Sequence, residues 1–216
     1  MDMTARTPLQ DQLEGSSRRP TALEAFQLAK RAFLAGRRVD MGVLARELGV
    51  NRATLYRWVG SRDRLLVEVL WSLGRRTFEQ LLSEPDVVRA GRTRSASVID
   101  AWLHAVIGST GMQTFVENEG ELALRLLTTR ASDYQSRLLD YIHALVAQDL
   151  DAGRLRTDLP LDDLAYVIVR IIESYVYLGL ITGERPDADR AARVLHSLLP
   201  PATVAAADAL PVHAAT

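Results

Sequence analysis

Residues 52–59 carry side chains that can bond to base-pair edges along one side of a short helix. With Leu55 turned inward, the 100° step per residue sends Tyr56 and Arg57 outward. Arginine can make a bidentate contact to guanine, threonine and alanine can touch a thymine methyl group, and a tyrosine hydroxyl can reach phosphate. The pattern therefore predicts a helix that reads DNA in the major groove, with Arg57 as its leading base contact. The predicted DNA contacts are Thr21, Asn51, Arg52, Ala53, Thr54, Tyr56, Arg57 and Arg62.

A second short helix is needed to hold this one, and residues 40–48 supply it. Their apolar side chains recur at the i, i+3, i+4, i+7 spacing that gives a helix one apolar face, and Asp40 suits the N-cap. Gly49 follows directly, where the end of a helix commonly takes a positive φ that glycine adopts without a Cβ clash. Asn51 then suits the N-cap of the reading helix. Two short helices joined by a glycine turn are typical of a helix-turn-helix unit.

Two more helix starts complete the predicted head. Thr21, with Glu24 three residues later, matches a capping box for a first helix that ends at Gly36. Ser61 suits the N-cap of a long fourth helix, and Arg62 in its first turn can hold phosphate beside the free N–H groups. We expect this fourth helix to join the head to the rest of the chain.

The charge distribution supports a head that binds nucleic acid. The whole chain is nearly neutral, with 26 Lys and Arg residues against 27 Asp and Glu residues. Residues 18–64, however, contain 11 basic and four acidic side chains, a net charge of +7, whereas residues 65–216 carry a net charge of −6. A basic segment on an acidic body is the expected electrostatic footprint of a DNA-reading domain joined to a part that does not touch DNA.

The remaining chain is predicted to be all-α. Its helical periodicity indicates helices near residues 95–109, 112–118, 120–128, 132–152, 161–181 and 187–199. No alternating run is convincing as a strand. The predicted organisation is a flexible N-terminal arm (1–19), a helix-turn-helix DNA-binding domain (20–66), a larger helical domain (67–200) and a flexible C-terminal tail (201–216).

The composition offers little for catalysis. Cysteine is absent, which removes disulfides, thiolate nucleophiles and most structural zinc sites. The four histidines lack metal-ligand spacing, and the sequence shows no glycine-rich phosphate loop and no nucleophile elbow. We therefore expect no catalytic residue, no metal and no cofactor. Because no run of 18 apolar residues and no N-terminal signal segment is seen, we also expect a cytoplasmic protein that does not bind membranes.

The segment GVNRATLYRWVGSRDRLL resembles the recognition element of the TetR-type bacterial transcriptional regulators, whose usual form is close to GVSxGTLYxYFxSKExLL. In this resemblance Asn51 stands at the capping Ser and Arg62 at the phosphate-binding Lys. The body is similar in the segment AGRLRTDLPLDDLAYVIVRIIESYVYLGL, and the variants VDMGVLARELG and RWVGSRD are similar to QsdR-like members associated with lactone breakdown. The resemblance implies a homodimer that binds a palindromic operator, usually represses transcription, and releases the DNA when a small molecule enters the body.

We expect the larger helical domain to bind this effector and to form the dimer. Small residues beside larger ones near residues 98–108, with aromatic and polar side chains nearby, are the usual lining of a small-molecule cavity and suit an apolar effector. The resemblance to QsdR-like members implies a lactone-like effector as well. The predicted ligand contacts are Trp102, His104, Met112, Phe115, Tyr134, Arg170 and Glu173. The last two helices carry more apolar surface than a monomer would leave wet. The predicted dimer contacts are Ile168, Ile172, Val176, Val194, Leu195 and Leu198.

Several alternatives stay open at the level of the sequence. His104 suits either an internally bonded position or a ligand contact. Arg170 and Glu173, spaced i, i+3, suit either an ion pair at the edge of a dimer interface or a polar anchor for ligand. For the whole chain, the alternatives to a repressor released by ligand are a DNA-binding protein without an effector and an all-helical enzyme. Loss of operator binding on addition of ligand would distinguish the repressor from a DNA-binding protein without an effector. A substrate-turnover assay tests for the enzyme.

Overall fold

Helix caps and apolar stripes set the architecture of the protein. The computed structural model describes residues 20–202, and this part of the chain contains ten α-helices and no strand. The helices are α1 (Ala22–Leu34), α2 (Met41–Glu47), α3 (Arg52–Val59), α4 (Arg62–Ser83), α5 (Arg94–Ile107), α6 (Thr110–Thr128), α7 (Tyr134–Asp151), α8 (Leu161–Val176), α9 (Leu178–Ile181) and α10 (Ala188–Leu198). A 3₁₀ turn, Pro85–Val87, follows α4. The all-α fold expected from the sequence is confirmed.

The first of two compact units contains α1, α2, α3, the part of α4 up to Arg75, and the later segment Gly108–Tyr134 with α6. The predicted capping box is present at the start of α1. The Glu24 amide donates to Thr21 Oγ1 at 3.2 Å, and the Thr21 amide donates to Glu24 Oε2 at 2.8 Å. The core of this unit is formed by side chains from all three short helices and from α4. These buried residues include Ala25, Ala29, Phe33, Leu44, Ala45, Leu55, Leu65 and Leu66.

α6 packs closely against the end of α1. A Cβ built on Gly111, in the first turn of α6, would lie closer than 3.0 Å to the carbonyl oxygen of Phe33. The rings of Phe33 and Phe115 meet edge to face, with their centroids 5.9 Å apart. Glycine is therefore required at position 111 by the approach of backbone to backbone, and α6 is an integral part of the first unit.

α6 is interrupted at Glu119, whose φ of −136° and ψ of 38° are not helical. The next residue is Gly120, and glycine in a helix interior weakens the helix. The sequence predicted two helices here, 112–118 and 120–128. The structure has one helix, broken at the residue between the two predicted segments.

The second compact unit contains Arg76–Ile107 and the described residues from Gln135 to Ala202, with α5, α7, α8, α9 and α10. Its core holds an aromatic stack in which Phe78 lies against Trp102 and Tyr141, each with a centroid distance of 4.6 Å. Offset stacking of this kind adds to the free energy gained by burying the rings.

Two buried carboxylates in the second unit are paired with arginines. Asp149 accepts from the Ser95 amide and from Arg154 Nε, each at 2.7 Å. Asp100 forms ion pairs with Arg89 at 3.1 Å and with Arg92 at 2.5 Å. These partners offset the cost of removing the carboxylates from water.

The observed limits also differ from the predicted ones at the end of the head and within the predicted helix 161–181. The predicted head ended at residue 66, whereas the compact unit that holds the short helices continues to Arg75 and also takes in Gly108–Tyr134. The predicted helix 161–181 is divided at Tyr177 into α8 and α9. The predicted arm (1–19) and residues 203–216 of the predicted tail lie outside the described residues. No helix in residues 20–202 has both the length and the apolar character needed to cross a bilayer.

Candidate nucleic-acid interface

The two short helices of the predicted helix-turn-helix unit are present and are joined by a glycine turn. α2 starts at Asp40, whose carboxylate accepts from the amides of the second and third residues of the helix, each at 2.8 Å. After α2, Gly49 has a φ of 65°. α3 then starts at Asn51, whose side chain accepts from the Thr54 amide at 2.7 Å. Each cap satisfies donors at a helix start that would otherwise lack a partner.

One face of α3 is open to solvent. Leu55 is fully buried and fixes the rotation of the helix, so that Tyr56, turned about 100° from it, keeps 42% of its surface exposed. Thr54 is half-buried at the flank. The exposed residues at the start and along this face are Asn51, Arg52, Ala53, Tyr56 and Arg57. The orientation inferred from the helical step is therefore the orientation in the structure.

Asp40 lies near a predicted DNA contact, Arg52, as well as capping α2. A Cβ built on Gly42 would be 3.1 Å from an Asp40 carboxylate oxygen and 3.3 Å from an Arg52 nitrogen, which shows that the Arg52 guanidinium lies near this carboxylate. The Val43 amide, with additional help from Arg52 and Arg38, holds the pKa of Asp40 below its ordinary value of 3.8, although burial opposes this effect. The carboxylate therefore stays charged at neutral pH and attracts Arg52. The sequence indicated the cap but not this link between α2 and α3.

Arg62 has partners that the sequence did not indicate. Its Nε donates to the carbonyl oxygen of Val39 at 2.6 Å, and a terminal nitrogen donates to Glu119 Oε1 at 2.6 Å. The Arg62 side chain is only 18% exposed, and that of Glu119 is 15% exposed. Arg62 thus ties the start of α4 to the loop before α2 and to α6. Its contact with phosphate stays a prediction, and it requires a guanidinium that is already occupied in part.

The predicted ligand contacts are divided between the two compact units. Met112 and Phe115 lie on α6 and are buried in the first unit. Tyr134, the last residue of that unit, meets Trp71 edge to face with a centroid distance of 6.1 Å. The other predicted contacts, in the second unit, are Trp102, His104, Arg170 and Glu173. Neither compact unit contains all seven residues.

Trp102 and His104 have partners inside the second unit. Trp102 is buried in the aromatic stack with Phe78. His104 Nδ1 donates to the carbonyl oxygen of Asp100 at 2.9 Å, and Nε2 bonds to Asp189 at 3.1 Å. The carbonyl oxygen, followed by the carboxylates, raises the pKa of His104 above 6.5, although burial opposes the shift. These bonds match the internally bonded alternative, while a ligand contact by His104 stays a prediction.

Arg170 and Glu173 form an ion pair beside a small cavity. A terminal nitrogen of Arg170 lies 2.8 Å from Glu173 Oε1, and the Gln135 side-chain amide lies next to both. Burial raises the pKa of Glu173 to about 7, against the opposing charge of Arg170. The cavity has a volume of about 170 Å³ and is lined by Gln135, Ser136, Leu139, Tyr166, Val169 and Arg170.

A family model supports the interpretation of the body. The model described as "Tetracyclin repressor-like, C-terminal domain" matches residues 90–200, just over half of the chain. The chain belongs to the TetR family of transcriptional regulators.

Solved structures of TetR-family proteins are similar to this chain over most of its length. The transcriptional repressor QsdR from R. erythropolis is 29% identical, with a TM-score of 0.70 over 82% of this chain and 93% of QsdR. The multidrug binding protein EbrR, complexed with imidazole, is 23% identical, with a TM-score of 0.50 over 83% of this chain and 94% of its own. A TetR transcription regulator from Haloarcula marismortui ATCC 43049 is 16% identical, with a TM-score of 0.51 over 82% and 95%. The last two show the fold alone, and a comparison with curated proteins finds no match.

As a TetR-family member, the chain is a DNA-binding transcriptional regulator with a helix-turn-helix head and a helical body. The resemblance noted in the recognition segment is thus confirmed by a match that lies in a different part of the chain. Among residues 20–202, no group of three or more His, Asp or Glu side chains is placed to hold a metal ion.

The predicted dimer contacts of this TetR-family body differ in their exposure. Four of the six are buried inside the second unit of the single chain, and their place in an interface stays a prediction. These four are Ile168, Ile172, Val176 and Leu195. Val194 is 39% exposed and Leu198 is half-buried, so both stay accessible. α8 is apolar on most of its circumference, and the sequence therefore did not show which stripe faces the core.

The exposed apolar side chains of α8 lie one position away from the predicted stripe. Tyr166 and Val167, the latter 36% exposed, are open to solvent immediately before the buried Ile168. Leu180 and Ile181 are exposed on α9. These residues, together with Val194 on α10, are the exposed large apolar side chains of the last three helices.

Proposed function

We propose that this TetR-family regulator is a repressor that binds a palindromic operator as a homodimer and leaves the DNA when a small molecule binds. The observation that carries the proposal is the exposed face of α3, where Tyr56 and Arg57 stand free of the core in a segment of net charge +7. QsdR, to which the chain is similar, is described as a transcriptional repressor, and this supports the same direction of regulation here.

Each predicted DNA contact has a role in this proposal. Arg57 bonds to a guanine edge, Ala53 and Thr54 contact thymine methyl groups, and Tyr56 donates to a phosphate. The remaining predicted contacts are Asn51 and Arg52 at the start of α3, Thr21 at the start of α1, and Arg62 at the start of α4. In a two-fold dimer the two copies of α3 lie about one DNA turn apart or a multiple of it, so the operator is expected to be palindromic.

The proposed dimer surface is the exposed face of α8 and α10. Val167 and Val194 are solvent-exposed apolar side chains on two helices of the same unit. Two helices from each protomer would bury this surface in a four-helix interface, and a two-fold arrangement lets one patch pair with its own copy.

The proposed effector site is the small cavity beside Arg170 and Glu173. Its volume of about 170 Å³ is below the roughly 300 Å³ at which typical ligand pockets begin, and this favours a compact group such as a lactone ring. Glu173 does not line this cavity, but its carboxylate bonds to Arg170 and Gln135, which do, and so holds both lining side chains in place. Arg170 supplies further N–H donors, and Leu139 and Val169 supply apolar wall. The other predicted ligand contacts remain candidates.

The proposal is tested by selecting DNA and then removing it with ligand. Wild-type protein is used to enrich sequences from a pool of random duplexes, and compounds that co-purify with the protein are identified by native mass spectrometry. We expect an enriched sequence with two-fold symmetry, and release of that duplex when the co-purified compound is added. Sequence-specific binding that no bound compound affects would support a regulator without an effector, and absence of any sequence preference would overturn the proposal.

A further inference from the structure

Two arginines of the DNA-reading head share one carboxylate from α6. Arg62 donates to Glu119 Oε1 at 2.6 Å, and Arg38 Nε lies 3.5 Å from Glu119 Oε2. All three residues belong to the first compact unit. Arg38 is 67% exposed, whereas Arg62 and Glu119 are largely enclosed. The single carboxylate of Glu119 is therefore bonded to two guanidinium groups of the head, one in the loop before α2 and one at the start of α4.

The guanidinium groups that bond to the Glu119 carboxylate are also suited to bind phosphate. Arg62 lies in the first turn of α4, next to Ser61, whose hydroxyl accepts from the Arg64 amide at 3.1 Å. A helix start with free N–H groups and positive side chains favours anions. A guanidinium presents the same fork of donors to a carboxylate and to a phosphate, so one anion can replace the other without loss of hydrogen bonds.

We propose that Glu119 competes with DNA phosphate for Arg62 and Arg38, and thereby holds the DNA affinity of the head below the value that its basic charge would give. The inference rests on the proposed function, since it concerns the same DNA-binding surface. It assigns to Glu119 a role that neither the family match nor the DNA-contact pattern contains.

The position of Glu119 makes the competition adjustable. Glu119 is the residue at which α6 departs from helical geometry, so a change in the course of α6 moves this carboxylate. Arg38 and Glu119 also line a groove of about 620 Å³, together with Phe33 and Phe115, so the Arg38–Glu119 ion pair can be reached from solvent. A movement that presses Glu119 onto the arginines weakens DNA binding, and a movement that withdraws it strengthens DNA binding.

The test replaces the charge and keeps the shape. Glu119→Gln retains an oxygen that accepts from Arg62 but no longer neutralises it. The matched control is Glu121→Gln, which removes the same charge from an exposed position on the same helix. Fluorescence anisotropy measures the affinity of each full-length variant for a labelled duplex of random sequence, at salt concentrations from about 50 to 200 mM. Thermal unfolding of each variant confirms that it is folded.

We expect Glu119→Gln to bind the duplex more tightly than wild type at low salt and to show a steeper salt dependence. Each additional phosphate that the protein neutralises steepens the slope of log K against log[salt] by about 0.9, which is about a 3.5-fold greater loss of affinity over this salt range. Glu121→Gln is expected to keep the wild-type slope. In the double variant Arg62→Ala/Glu119→Gln, the part of the increase in affinity that depends on Arg62 should disappear.

The outcomes separate the inference from the proposed function. If the wild-type protein does not bind duplex DNA, the proposed function fails. If wild type binds but Glu119→Gln has the same slope or a lower affinity, only the competition is refuted, and Glu119 then supports the packing of α4 on α6. An equal increase in affinity in Glu121→Gln would also refute it, because the effect would then be one of net charge. If Glu119→Gln fails to fold, Glu119→Ala replaces it with the same expected direction.

Discussion

Arg57 keeps an exposed guanidinium on α3, whereas Arg62 uses two of its donor groups inside the head. From the sequence both residues are predicted to contact DNA, Arg57 at a base and Arg62 at a phosphate. The difference arises from Glu119, which is 57 positions away from Arg62 along the chain. A contact at that separation leaves no local pattern, so the exposed contact could be predicted from the helical step and the ion pair could not.

Arg57 is expected to discriminate between DNA sequences. If it reads a guanine, Arg57→Ala should weaken binding to the selected operator by about 1 to 3 kcal/mol and weaken binding to random duplex much less. Anisotropy titrations against the two duplexes measure both values. Arg193→Ala, which removes an exposed arginine from α10, is the matched control and should leave both affinities close to wild type. Equal losses on both duplexes would show that Arg57 contacts phosphate.

Asp40 is expected to make part of the stability of the head dependent on pH. Its pKa is held below 3.8, chiefly by the Val43 amide. A carboxyl whose pKa is lower in the folded state stabilises the fold above its unfolded pKa, and the contribution is lost as the pH falls through the folded pKa. Asp40→Ala should therefore lower the free energy of unfolding by about 0.5 to 2 kcal/mol at neutral pH, the range typical of a lost N-cap.

Urea unfolding of wild type and Asp40→Ala at neutral pH and at about pH 3 tests this dependence. The difference between the two proteins should shrink at the lower pH. Asn51→Ala is the control, since it removes an uncharged N-cap from α3, and its cost should be similar at both pH values. A loss for Asp40→Ala that does not change with pH would contradict the ionic role.

Local sequence signals predicted where the helices begin, whereas their contacts depend on packing between segments far apart in the chain. The caps at Thr21, Asp40 and Asn51 and the break at Glu119 could be read from the sequence, because each depends on neighbours within a few residues. The membership of α6 in the head unit could not, because it depends on a close approach between segments far apart in the chain. Which apolar stripe of α8 is buried could not be predicted for a related reason, since adjacent apolar stripes on one helix have no local feature that separates them.

The close approach of α6 to α1 is expected to depend on Gly111. Gly111→Ala places a methyl group against the Phe33 carbonyl, which is backbone and cannot rotate away. Overpacking of this kind costs about 1 to 3 kcal/mol, more than the roughly 0.5 to 1 kcal/mol that alanine gains over glycine within a helix. The variant should therefore unfold at a lower urea concentration than wild type.

Gly179→Ala provides the control for this experiment. A Cβ built there would lie 3.5 Å from the carbonyl oxygen of Glu184, an ordinary van der Waals distance. This variant should be as stable as wild type or slightly more stable. Equal stability of Gly111→Ala and wild type would show that α6 can move away from α1 without cost.

The charge and the exposed apolar surface are found in different parts of the molecule, and these are the parts proposed to bind DNA and to form the dimer. The basic residues are concentrated in residues 18–64, and the exposed apolar side chains of α8, α9 and α10 belong to the second unit. The charge composition of the sequence was sufficient to predict a basic part that binds DNA and an acidic part that does not. It did not identify the accessible members of the apolar surface, because exposure depends on how helices of the same unit cover one another.

The proposed dimer predicts that a charge on this apolar surface separates the protomers. Val194→Glu and Val167→Glu each introduce a carboxylate at a side chain that is 39% or 36% exposed in the single chain. In a two-fold interface the new carboxylate and its copy are both removed from water, which is costly for an unpaired charge. We expect the dissociation constant of the dimer to rise by more than tenfold, equivalent to about 1.4 kcal/mol, in sedimentation experiments.

Val88→Glu is the matched control, because Val88 is 47% exposed and lies after the 3₁₀ turn, away from α8 and α10 in the sequence. This variant should sediment like wild type. In Val194→Glu and Val167→Glu, operator binding should also weaken. A lone protomer contacts only one half-site and loses the fixed spacing between the two copies of α3. If Val194→Glu and Val167→Glu both remain dimeric at the concentration at which wild type is dimeric, the chain associates through a different surface and the four-helix interface is refuted.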